Sequence, residues 1–162
     1  MTSRAATEVA LAADLYAPPV PCRRIAVVLD DSEASRVALF KAAYMARAQR
    51  ATLSILRVVP PPWPTMALAG VCPDELMRDT IALAAQELRE TVEQLPPDIS
   101  CSMCVRAGRA SAEVLRLVRA GGYDVLFVAR SGRRSFSRRA VRMSLRAARS
   151  APLDLRFCDV LS

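Results

Sequence analysis

Arg24-Ile-Ala-Val-Val-Leu-Asp-Asp31, followed at once by Ser32-Glu-Ala-Ser-Arg-Val-Ala-Leu-Phe-Lys-Ala-Ala-Tyr-Met-Ala-Arg47, is the stretch that decides the fold. A continuous apolar run of strand length that ends at two acids is the pattern of a central parallel strand, buried on both faces. Ser32 then stands where a helix needs a side-chain oxygen to accept from its first free N–H groups. Ala34, Val37, Ala38 and Met45 supply the apolar face of that helix.

Working outward, Thr52-Leu-Ser-Ile-Leu-Arg-Val-Val59 reads as a second strand, left through the Pro-rich segment 60–64 that carries the single Trp. From Pro73 to Leu95 the spacing predicts a helix, with Leu76, Ile81, Leu83, Ala84, Leu88 and Val92 as its apolar positions, and Pro96-Pro97 stops it. Residues 98–108 alternate as a third strand and end at a turn at Gly108. A short helix over 110–120 carries Val114, Leu115 and Val118, and Gly121-Gly122 terminates it ahead of a fourth apolar strand, 123–129. A loop and an arginine-rich helix with the stripe Val141, Leu145 and Ala148 follow. Pro152 closes that helix, and a fifth strand, 153–160, alternates apolar with polar. The order βαβαβαβαβ with right-handed crossovers requires a single doubly wound α/β domain, its mostly parallel sheet covered by helices on both faces. Residues 1–21 end in Ala-Pro-Pro-Val-Pro and read as a flexible leader, leaving 22–162 as the folded domain.

At 162 residues such a domain buries a sizeable core without staples, and no apolar run approaches the length that crosses a bilayer. With no signal-peptide pattern at the N-terminus, the expected location is the cytoplasm. The net charge of +7 is concentrated at one end: after residue 129 there are nine Arg and two acids, Asp154 and Asp159. Such asymmetry points to an anionic partner, an acidic protein or anionic ligand, or else to a solvated helix face. Nucleic acid is the weaker reading, because Phe136 is the one aromatic in the segment and stacking platforms use several.

The chain has five Cys and no His. Cys101 and Cys104 form C-x2-C, but residues three apart on a strand point to opposite faces, which opposes a shared metal or a disulfide. The thiols are expected to be small buried apolar groups. Without His there is no Ser-His or Cys-His pair, and neither a nucleophile elbow nor a P-loop occurs, so no catalytic residue is expected and the protein is not read as an enzyme. Asp154 and Arg156 share one face of the fifth strand, so antiparallel pairing of that edge across a two-fold axis would set Asp154 near Arg156 of the partner subunit.

The opening 24–39, the second strand 51–59 and the segment 108–129 together resemble the universal stress protein family. Asp30 and Ser32 match its first-strand V-D-x-S turn, with Asp31 where a Gly often sits. The resemblance implies an adenine nucleotide alpha hydrolase-like, five-stranded parallel sheet in the order 3-2-1-4-5. It also implies a stress-response module that acts by binding, as a homodimer through the C-terminal strand. ATP-binding members carry G-x2-G-x9-G-[ST] after the fourth strand. Here Ala129 takes the first Gly position, Gly132 matches the second, and no Gly follows 132. The third Gly falls near Val141 to Met143, and Ser144 is the nearest hydroxyl beyond it. The resemblance places Asp30 by a ribose and the Val58 backbone beside an adenine. A Cβ where a loop must approach phosphate closely counts against nucleotide binding, so the expectation is no obligatory cofactor. An ATP- or AMP-binding alternative would use Asp30, Val58, Gly132 and Ser144, with Arg130 and its neighbours Arg133 and Arg134 in place of the lost glycines. For Asp30, capping of the next helix weighs equally with binding, and Gly132 also reads as a plain turn.

Overall fold

The structure, a computed structural model, describes residues 21–29, 32–61, 72–120, 122–129 and 154–158. Five strands, β1 (Arg24–Leu29), β2 (Thr52–Val59), β3 (Cys101–Ala107), β4 (Val125–Ala129) and β5 (Asp154–Cys158), form one sheet in the order β3-β2-β1-β4-β5. Every pairing is parallel. Helices α1 (Glu33–Gln49) and α2 (Pro73–Val92) pack on one face and α3 (Ala110–Ala120) on the other, giving the doubly wound α/β architecture expected from the element order. The helix predicted within 131–152 and residues 1–20 of the 1–21 leader lie outside the described residues.

Alternation along β1 divides the core. Ile25, Val27 and Leu29 join Leu39, Ala42, Leu53 and Phe127 on the α1–α2 face, while Ala26 and Val28 join Leu56, Val58 and Val114 on the α3 face. Both sets are buried, which is why β1 has no polar residue between Arg24 and the strand end. Ser32 caps α1 from an extended backbone (φ −89°), its hydroxyl accepting from the Ser35 N–H at 3.3 Å. Of the positions expected on the apolar face of α1, Ala34, Ala38 and Met45 are buried and Val37 is half-buried.

The starts of β1 and β4 are tied by Asp124, whose Oδ2 accepts from the backbone N–H groups of Arg23 (2.7 Å) and Arg24 (2.9 Å). Gly122, just ahead, has φ +78°, a left-handed backbone that strains any other residue, whereas a Cβ there would displace only the end of the flexible Arg24 side chain, 2.7 Å away.

Two expectations about burial are corrected. On α2 only Ala84 and Leu88 are buried, and Leu83 is 58% exposed, because the helix lies over the outer strand β3 and meets the sheet along a narrow line. Of the four cysteines whose side chains are described only Cys22 is buried; Cys72, Cys101 and Cys104 are exposed free thiols. β3 is an edge strand whose first four residues are exposed, so neither of its faces is fully roofed. The opposite placement of Cys101 and Cys104 holds: their β2 neighbours are Leu53 and Leu56, which belong to opposite faces of the core.

Burial pushes the Cys22 thiol up, helped by the neighbouring Asp124 carboxylate and opposed by its own backbone and Arg156. The thiolate forms freely in the unfolded chain but is disfavoured in the folded one. The stabilising contribution is therefore complete below the ordinary thiol range, about pH 8.5, and is lost as pH rises through the raised folded value. Urea midpoints are expected to fall from pH 8 to pH 10.5, and to fall less in Cys22→Ala. Parallel curves for the two proteins would refute it.

Candidate functional site

In an open parallel sheet, ligands bind beyond the carboxyl ends of the strands where the crossovers diverge, and in this order that point lies at the end of β1, between β2 and β4. Val58 sits there. Its side chain is buried with Val28, Leu56 and Val114, so only its backbone is free to serve a ligand. The β1–β2 register runs from Arg24–Thr52 to Leu29–Arg57, and the β1 position that would face Val58 lies outside the described residues. On its other side it pairs with Arg106 of β3. Ala129, at the first Gly position, is the last residue of β4 and pairs with Cys158. Asp30, Arg130, Gly132 and Ser144 lie outside the described residues, so of the expected site residues the structure describes Val58 alone.

Asp154 and Arg156 interact within their own strand, Arg156 Nε donating to Asp154 Oδ2 at 2.9 Å, because residues two apart on a strand share a face. Each of the two side chains thus has a partner within its own strand.

A second polar concentration carries no motif in the sequence. On the α3 face, between α3 and the edge strand β3, two adjoining hollows of about 130 and 370 Å³ share Arg106, Leu117 and Tyr123. Ser54, Ser102 and Cys104 form the floor, and the Ser102 hydroxyl lies 3.2 Å from that of Ser54. Arg106 and Arg116 stand at one end, sharing a single carboxylate, Glu113, at 3.4 and 3.8 Å. Arg24 lies at the other, its guanidinium 5.0 Å from the centre of the Tyr123 ring. Cys104 and Glu113 beside Arg106 push its pKa further up, with Cys104 the larger cause, so its charge is permanent. The signal available in the sequence was the period-two series Ser102, Cys104, Arg106, which names one face of β3; nothing in the sequence says that Arg24 and Arg116 converge on it. No three metal-ligating residues converge among the described residues.

The sequence matches the model of the Universal stress protein family over residues 21–154. No curated protein matches significantly. Solved structures with this fold include the universal stress protein UspA from Lactobacillus plantarum, 20% identical, covering 84% of this chain and 97% of that one at a TM-score of 0.62. A universal stress protein in complex with cAMP is 16% identical over 86% of this chain and 98% of its own, at 0.55. A universal stress protein family member from Burkholderia pseudomallei is 18% identical over 86% and 98%, at 0.51.

Proposed function

The chain belongs to the universal stress protein family, and on that premise we propose that it is a regulatory module of the stress response that acts by binding rather than by catalysis, with weakened nucleotide contacts. The observation that carries the reading is the exit of β4. The position matching the first glycine of the family's phosphate loop is Ala129, still within the strand ladder, opposite Cys158. A phosphate loop works by bringing backbone N–H groups against oxygens, which glycine permits and a side chain obstructs. Homodimerisation through the outer edge of β5 and recruitment of an acidic partner by the arginine-rich segment 130–149 complete the reading. The alternative, a nucleotide sensor, draws support from the neighbour solved with cAMP.

Calorimetric titration with Mg-ATP, AMP and cAMP at physiological salt separates the two. The expected result is no saturable heat below several hundred micromolar nucleotide. Micromolar binding abolished by Asp30→Ala would overturn the reading in favour of the sensor. A monomer by light scattering at high micromolar concentration would remove the dimer.

A further inference from the structure

We propose that the groove between α3 and the edge strand β3 is a binding site for a small organic oxyanion, a phosphate monoester or a carboxylate, separate from the nucleotide position at the end of β1. Three guanidinium groups, Arg24, Arg106 and Arg116, line it against one carboxylate, Glu113. Asp124, the other acid nearby in the chain, is turned onto the Arg23 and Arg24 amides instead. Glu113 is only 13% exposed, whereas Arg106 and Arg116 are 42% and 66% exposed, so one carboxylate divided between two guanidinium groups leaves several of their N–H donors open to the groove.

Two further features suit an organic anion. The floor mixes the Ser54 and Ser102 hydroxyls with the apolar flanks of Ala26, Leu56 and Leu117. From Ser102 to Arg106 the strand rises about 13 Å, so a ligand of several carbons can lie along the floor with an anionic end between Arg106 and Arg116. Guanidinium forks match the planar or tetrahedral oxygens of carboxylate and phosphate.

The strand carries its own probe. Cys104 is an exposed thiol inside the groove, and Cys101 is an exposed thiol on the same strand and the opposite face. Ahead of Cys101, Arg47 and Asp98 pair one to one at 2.8 Å, leaving no comparable excess charge. Alkylation by anionic iodoacetate and by neutral iodoacetamide, quantified thiol by thiol by peptide mass spectrometry, reads the local field. The iodoacetate-to-iodoacetamide rate ratio is expected to be roughly fivefold higher at Cys104 than at Cys101, the factor given by about 1 kcal/mol of screened attraction. It should collapse toward unity at about 0.5 M salt, where screening acts over only a few ångströms, and in Arg106→Gln and, independently, Arg116→Gln.

Occupancy is then tested by adding millimolar pyrophosphate or citrate during iodoacetamide labelling. Several-fold slowing at Cys104 with Cys101 unchanged supports the site, and whichever anion protects identifies the phosphate or the carboxylate class. Equal ratios at the two thiols, or no selective protection by either anion, would overturn the proposal. Asp30→Ala is expected to keep the protection, so failure here and failure of the nucleotide reading are separable.

Discussion

Phe127→Ala is expected to destabilise the protein by about 3–5 kcal/mol, the largest effect of any single truncation. Phe127 is fully buried at the middle of β4, between Val27 of β1 and Arg156 of β5, and its ring fills the space beneath α1 with Leu39 and Ile25. Both neighbouring strands and the helix above are fixed by ladders or by the Ser32 cap, so the cavity left by the ring has little room to collapse. For a chain of this size, each kcal/mol lowers the thermal midpoint by roughly 2–4 °C, giving a drop on the order of 10 °C. Leu83→Ala, at an exposed position on α2, is the control and should move the midpoint by no more than about 2 °C. A Phe127→Ala midpoint within that range would mean that the α1 face is not close-packed.

This contrast marks where the sequence was legible. β1 and β4 are uninterrupted apolar runs, and such runs have one common explanation in a chain with alternating helices: central strands with a core on each side. Ser32 announced the start of α1 because capping is local chemistry. β3 was legible as a strand but not as an edge, since alternation is the same whether a face is roofed or open. Its thiols were therefore expected inside and are found outside. The arginine groove was illegible for a different reason. Arg24, Arg106 and Arg116 come from β1, β3 and α3, and only the crossover geometry brings them together. The nucleotide position is the reverse case: Asp30, Gly132 and Ser144 were singled out by motif, and of that set the structure describes only the backbone partner, Val58.

Leu88→Ala is expected to loosen one side of the molecule without unfolding the other. α2 spans twenty residues, yet its buried positions are Ala84 and Leu88, and Leu88 is 2% exposed within the α1-face core. The remaining ties between α2 and the sheet include the Arg57–Glu87 pair at 3.0 Å, with Glu87 half exposed, and such pairs contribute about 1 kcal/mol or less. Removing the Leu88 side chain costs about 2–5 kcal/mol, and that loss falls on α2 and on β3 beneath it. Among the described residues β3 has a ladder on one side only, to β2. Local opening of α2 and β3 should therefore become easier while β1 and β4, laddered on both sides, stay closed. In native-state hydrogen exchange the amides of 76–92 and 101–107 are expected to exchange roughly 100-fold faster, the equivalent of about 3 kcal/mol, and to be the least protected of the sheet and its helices, while the β1 and β4 amides still open only with the whole molecule and keep a higher protection. Because β3 carries both Cys104 and Cys101, loosening it should change labelling at the two thiols together and with both reagents, unlike the change in the iodoacetate-to-iodoacetamide ratio at Cys104 alone that Arg106→Gln produces. Equal protection across all five strands in the variant would show instead that α2 belongs to the cooperative core, and the groove wall would then be as rigid as the sheet centre.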